Sequence, residues 1–176
     1  LFKKISTLLL GALFVFILAA CGSDKNDDKA VYEKEVKPQL DAMMQEYDAI
    51  WNNDWKPIWN EIESNPNADP TKLKEKMNII QTKYTDLAKK IKEFSNGDKL
   101  SDEKLKENIN TFKKEFSLAA MYRVDAARNI VQGIDKIAPM KDRTDAARKN
   151  VVLSDEKLKI AVENLGSVES TLGVKR

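Results

Sequence analysis

The sequence predicts an all-α fold, an elongated up-down-up-down four-helix bundle set behind an N-terminal leader and a short tether. Three observations lead there. After about residue 29, apolar residues recur at three- and four-residue steps, the spacing of one face of a helix. No segment sustains the period-two alternation of a half-buried strand. Proline, glycine and asparagine signals divide the chain into four long segments joined by short turns, which is the layout of a bundle.

The first segment runs from about Lys29 to Glu63, with Val36, Leu40, Met43, Tyr47, Ile50, Ile58 and Ile62 on its face. Pro38 and Pro57 interrupt it. Each removes an internal hydrogen bond, so kinks or a break are expected, with Asn52-Asn53-Asp54 able to cap a second piece. Asn65-Pro66-Asn67-Ala68 is a turn, and Asp69 followed by Pro70 is a helix start. The second helix carries Leu73, Met77, Ile80, Tyr84, Leu87, Ile91 and Phe94. Their alternating steps of four and three favour near-antiparallel packing.

Ser95-Asn96-Gly97 ends that helix, and Ser101 is the expected cap of the third. The third face is Leu105, Ile109, Phe112, Phe116, Ala119, Ala127, Ile130, Ile134 and Ile137, stopped by Pro139. The fourth helix starts near Asp142 to Thr144 and ends near Leu172-Gly173. Its apolar phase runs through Ser154, which favours one continuous helix. Leu-Ser-Asp-Glu-Lys-Leu-Lys occurs at 100–106 and 153–159, and Asp-Ala-Ala-Arg at 125–128 and 145–148. The two repeats have different offsets, so they define no repeated domain.

The N-terminus divides into a basic start (Lys3, Lys4), an uncharged apolar run of 16 residues from Ile5 to Ala20, and small residues before Cys21. That is the plan of a secretory signal, and the run is shorter than the roughly 20 residues of a spanning helix. Leu18-Ala19-Ala20-Cys21 resembles the lipobox of bacterial lipoproteins, and Cys21 is the only cysteine of 176 residues. The resemblance implies diacylation of the Cys21 thiol and cleavage before it. Residues 1–20 would then be a signal peptide and 21–28 a lipidated, flexible tether, with the bundle spanning 29–173. It further implies a lipid anchor on the extracytoplasmic face of the cell membrane. The helical region is similar to the small helical surface lipoproteins of low-GC Gram-positive bacteria in architecture and Lys/Asn/Ile-rich composition. That likeness carries no functional residue across.

Composition excludes several functions. With no histidine and one cysteine, the chain cannot build Ser-His-Asp or Cys-His nucleophile systems, His-ligated zinc or Glu-x-x-His di-iron sites. A carboxylate-only enzyme has no strand-loop framework to hold its cleft. No cofactor or metal is expected. Without Lys3 and Lys4 the chain carries 28 basic and 28 acidic side chains, which gives no reason to expect a nucleic acid partner. The charges are unevenly spread: residues 24–69 hold 12 acidic and 5 basic side chains, and residues 70–122 hold 8 and 12.

The expected function is therefore a non-enzymatic surface module that binds a protein or cell-wall partner. The alternative is a structural lipoprotein at the membrane, or one that excludes phage or plasmids. Tyr47, Trp51, Trp55 and Trp59 are four residues apart and include every tryptophan. In a regular helix each ring turns about 40° from the one before, so exposure should rise from Trp51 through Trp55 to Trp59. Trp55 and Trp59, with Asn52 and Asn53, are the candidate partner-binding residues. The competing reading is that these rings close a seam between helices. Arg123 falls on the apolar face of the third helix, where an unpaired charge is costly. Asp54 is its expected partner, with Glu61 the substitute if the helices are staggered, and the other possibility is an arginine snorkelling to the rim.

Overall fold

The computed structural model describes residues 25–65 and 67–175. Residues 1–20, Cys21 and residues 22–24 of the expected tether lie outside them. Among the described residues there is no strand, and four helical runs assemble into an all-α bundle. The first run is compound: α1 (Lys25–Val31), a π-helical turn (Tyr32–Val36), α2 (Lys37–Ala49), a second π-helical stretch (Ile50–Trp55) and α3 (Lys56–Ser64). The other three are α4 (Pro70–Glu93), α5 (Glu103–Ile134) and α6 (Met140–Leu172), with a short 3-10 turn at Asn96–Lys99.

The two prolines of the first run do not break it, and Asn52-Asn53-Asp54 cap no second piece, since Trp55 precedes α3 in helical conformation with no side-chain cap. Each proline lies directly behind a widened turn, in which Lys37 N–H bonds to Tyr32 O and Lys56 N–H to Trp51 O. Pro38 and Pro57 lack an N–H, and their rings would collide with the carbonyl four residues back. Opening the preceding turn to a π spacing relieves that collision while the helix continues. It also shifts the phase of every side chain that follows.

Asp69 caps α4 as its sequence indicates, accepting from Thr71 N at 2.9 Å and Lys72 N at 3.4 Å. Leu73, Met77, Ile80, Tyr84, Leu87 and Ile91 are all buried. In the turn that follows, a Cβ on Gly97 would lie 2.5 Å from Ile109 Cγ2, so only glycine lets the turn close on α5. The cap of α5 is Asp102 rather than Ser101. Asp102 accepts from Lys104 N at 2.8 Å and Leu105 N at 3.1 Å.

Ser101 is displaced from that role because its own N–H, with that of Asp102, is held by Asp28. The carboxylate takes Ser101 N at 2.5 Å and Asp102 N at 2.9 Å, and Asp28 is buried. The stretch expected to be a loose tether is therefore helical from Lys25, and Asp28 fastens it to the turn before α5. Lys29 Nζ reaches Gly173 O at 3.2 Å at the same end of the molecule.

Helix α5 lies deepest. It packs most extensively on α6 and next on α4, and its Ala119, Ala120, Ala126 and Ala127 are buried along with Ala147 and Ala161 of α6. These small side chains let the two backbones approach closely. Helix α6 starts at Met140, with Pro139 at its cap, a few residues earlier than the sequence reading places it. It runs without interruption through Ser154.

Helices α5 and α6 end alike. Ile137 N–H bonds to Gln132 O and Lys136 N–H to Gly133 O; Val174 N–H bonds to Glu169 O and Gly173 N–H to Ser170 O. Both are Schellman motifs, which need a left-handed residue at the turn. Gly173 supplies it at φ 63° and Lys136 at φ 57°. Because α5 stops at Ile134, Ile137 leaves the apolar face on which the sequence places it and is exposed.

Part of the charge asymmetry of the chain is met across one seam. Glu46 pairs with Lys90 at 2.5 Å, Asp54 with Lys83 at 2.7 Å and Glu61 with Lys76 at 2.8 Å, and Glu35 pairs with Lys99. Each exposed pair contributes only about 0–1 kcal/mol. In sequence they account for the acidic first run lying against the basic α4.

Two stability predictions follow from these ends. Replacing Lys136 with Gly should stabilise the fold by about 0.5–1 kcal/mol in denaturant titration, since glycine adopts positive φ without the Cβ penalty. For Asp28, burial alone raises the pKa, but the Ser101 and Asp102 N–H groups, the Ser101 hydroxyl and Lys106 outweigh it and lower the pKa. A lowered folded-state pKa contributes stability that is complete above the unfolded pKa and is lost as pH falls through the folded one. Asp28→Ala should therefore cost about 1–3 kcal/mol at pH 7. The gap from the wild type should narrow below about pH 4, the ordinary aspartate range. A constant gap from pH 7 to pH 2 would exclude the charged contact.

Candidate functional site

The second π stretch sets the geometry of the site. Without it, Trp55 would stand at the edge of the apolar face; the widened turn rotates less per residue and sets the phase back, so Trp55 turns inward and is only 1% exposed. Trp51 and Trp59 are half-buried against the core on either side of it. The exposure order expected from a regular helix is thus overturned, with the middle ring the most buried.

The three indoles form a ladder. Ring centroids of Trp51 and Trp55 are 5.7 Å apart with planes 18° from parallel, and those of Trp55 and Trp59 are 6.0 Å apart at 15°. A guanidinium closes each end. Arg123 lies 3.9 Å from the Trp51 centroid, and Arg148 lies 5.4 Å from that of Trp59. The positive groups meet the electron-rich ring faces. At the outer end Trp59 Nε1–H donates to Glu63 at 2.8 Å, and Arg148 binds the same carboxylate oxygen at 3.0 Å.

The inner end is a buried polar network. Ser154 Oγ donates to Ala119 O at 2.7 Å, which commits its single proton. The Tyr47 hydroxyl therefore donates to Ser154 Oγ at 2.6 Å and accepts from Arg123 Nε–H at 2.9 Å. Arg123 Nη2 donates to Asp155 Oδ1 at 2.5 Å. Its buried Nη1 makes no hydrogen bond; the Trp51 face below the guanidinium offsets part of that loss. Tyr84 packs edge-on against Tyr47, their centroids 5.3 Å apart. Burial, reinforced by Tyr47, raises the Tyr84 pKa far above the usual tyrosine range, so its hydroxyl stays protonated.

Arg123 does meet a carboxylate, but it is Asp155 of α6 and neither Asp54 nor Glu61. Those two are engaged by Lys83 and Lys76 of α4. The widened turns rotate Asp54 toward α4, and α6 lies closer to this face of α5. Nor does Arg123 snorkel, since its side chain is 4% exposed.

Between the ladder and α6 lies an open cleft of about 320 Å³. Trp51, Trp55 and Trp59 form one wall, Val151 and Val152 the other, and Lys56, Asn60 and Arg148 the rim. Val152 is 56% exposed, an unpartnered aliphatic side chain at the opening. Asn52 and Asn53 are not part of this lining. Asn52 accepts from Lys56 Nζ at 2.8 Å, and Asn53 is exposed to solvent. Sequence reasoning missed Arg148, Val151 and Val152. A signal was present, because Arg148 closes the second Asp-Ala-Ala-Arg repeat and pairs with Asp145 as Arg128 of the first repeat pairs with Asp125.

Among the described residues no three metal-ligating side chains converge, and no helix is long and apolar enough to cross a membrane. No protein-family model matches the chain, and no curated protein or solved structure matches it.

The buried arginine makes an asymmetric prediction. Asp155 has a side chain 60% exposed, and at most such sites a substitution changes stability by less than about 0.5 kcal/mol. Here Asp155→Ala leaves a buried cation without its counter-charge and should cost about 1–3 kcal/mol. Arg123→Met, which removes the cation, should rescue part of that loss when combined with Asp155→Ala. Strict additivity of the two substitutions in denaturant melts would contradict the pairing.

Proposed function

We propose that this protein is a membrane-anchored surface lipoprotein, held by lipid on Cys21, that acts as a non-enzymatic binding module. The tryptophan cleft is its recognition site and a protein its partner. The anchor reading rests on the lipobox-like Leu18-Ala19-Ala20-Cys21 and the uncharged run before it. The non-enzymatic reading rests on the lack of histidine and of any other cysteine. The bundle is taken as up-down-up-down. The falling register of Glu46–Lys90, Asp54–Lys83 and Glu61–Lys76 supports that order for the first two runs.

One observation favours a protein partner over a cell-wall glycan: the indole faces are already turned to one another or to a guanidinium. Sugar recognition by tryptophan uses an open ring face. What the cleft offers is ring edges, the two valines and a polar rim. That combination fits an apolar side chain in a pocket ringed by polar groups, the pattern of protein interfaces.

Two substitutions test this reading in cells. Crosslinking of the wild-type chain at the surface should trap a protein partner. Val152→Glu, at an exposed position, should abolish the adduct while leaving the thermal melt unchanged. Cys21→Ala should separately abolish acyl-chain incorporation. An adduct that survives Val152→Glu would remove the cleft from the interface. A cleft-dependent loss of binding to isolated cell wall would replace the protein partner with a glycan.

A further inference from the structure

The lysines of α4 divide into two sets. Those facing the first run (Lys76, Lys83, Lys90), together with Lys99 in the turn after α4, are neutralised by its carboxylates. Toward α5, Lys74 is likewise held, by Asp135 at 2.7 Å, but Lys92 is not. Lys92 and Lys113 form no ion pair among the described residues. Lys114 stands 4.0 Å from Glu115, whose other oxygen is held at 2.8 Å by Lys157. These three lysines surround a groove of about 410 Å³ between α4 and α5, and no acidic side chain lines it. Its floor includes Leu118 and Met121, both only partly buried. Lys113 Nζ lies 5.9 Å from the Phe94 ring centroid, so its stem forms part of the same apolar surface.

We propose that this groove is a second docking site, for an acidic amphipathic helix of a partner protein. Charge complementarity selects an anionic occupant, since three lysines and no carboxylate line the groove, and Lys92 and Lys113 have no ion-pair partner among the described residues. The floor selects an amphipathic one. Met121 adapts to irregular aliphatic shapes, and a groove between two packed helices accepts the ridge of a third. Concavity decides against a flat anionic bilayer, whose headgroups would meet the lysines and leave Leu118 and Met121 uncovered. A bare polyanion would likewise leave the floor unused. The groove opens on a different face from the tryptophan cleft, which lies between α3 and α6, and its occupancy does not depend on that site.

The test uses the full chain in vesicles of phosphatidylcholine. The probe is a synthetic helix with leucines at three- and four-residue spacing and glutamates elsewhere, beside a counterpart with lysines in place of the glutamates. Calorimetry should detect binding of the glutamate peptide and none of the lysine peptide. Lys92→Glu with Lys113→Glu, both outside the core, should weaken binding by about tenfold or more without changing the melt. Met121→Gln should weaken it as well, which a purely electrostatic contact would not. The proposal fails if the glutamate peptide does not bind, or if binding ignores the charge reversal. It also fails if the same lysines drive binding to phosphatidylglycerol vesicles while the peptide is ignored, since the surface would then be a membrane contact.

Discussion

The ring of Pro57 governs more of this structure than any single contact. Because the proline ring cannot share space with the carbonyl four residues earlier, the helix opens into the Ile50–Trp55 π stretch. That change of phase drives Trp55 into the core and aligns it with Trp51 and Trp59. With Trp51 turned to α5, the guanidinium of Arg123 has a ring to rest on, and burying that cation brings Asp155 of α6 into play. One proline ring therefore links the first run to both of the longest helices.

Polar groups in the interior organise the packing more than they strengthen it. Ser154, Tyr47 and Arg123 have a single consistent assignment of donors and acceptors, and it holds only if three helical runs keep their register. Sliding α6 by one residue would strand the Ser154 hydroxyl against apolar neighbours, at a cost of about 1–3 kcal/mol for each unsatisfied group. The alanine-rich contact between α5 and α6 is smooth and would tolerate such slippage by itself. The network supplies the specificity that the small side chains lack.

The sequence was most legible where one residue decides the outcome locally. Asp69 with Pro70 marks a helix start, and the four-three spacing from Leu73 to Ile91 matches a row of buried side chains residue for residue. The four helical runs, and the continuity of α6 through Ser154, were readable from phase. Long-range partners were not. Nothing near Asp28 announces that it will cap the turn before α5, 73 residues away. The pairing of Arg123 failed for a related reason. The need for a carboxylate follows from burial, but its identity depends on helix register and on two π turns that a regular 3.6-residue wheel cannot represent. The same wheel misplaced Trp55. Within the site, the aromatic stripe was visible from its spacing, while the α6 wall of the cleft was hidden among ordinary apolar and charged helix positions.

The tryptophan ladder has an optical consequence. All three indoles of the chain sit in one column, at centroid separations of 5.7 and 6.0 Å with nearly parallel planes. At such spacing the excited states of neighbouring rings are coupled, and light absorbed by one indole is shared with the others. The intrinsic emission of this protein is therefore a property of the column as a whole and reports on one seam, between the first run and its neighbours α5 and α6. Changes in tryptophan emission on ligand addition follow the integrity of that seam, while the α4–α5 groove and the Asp28 contact hold no indole.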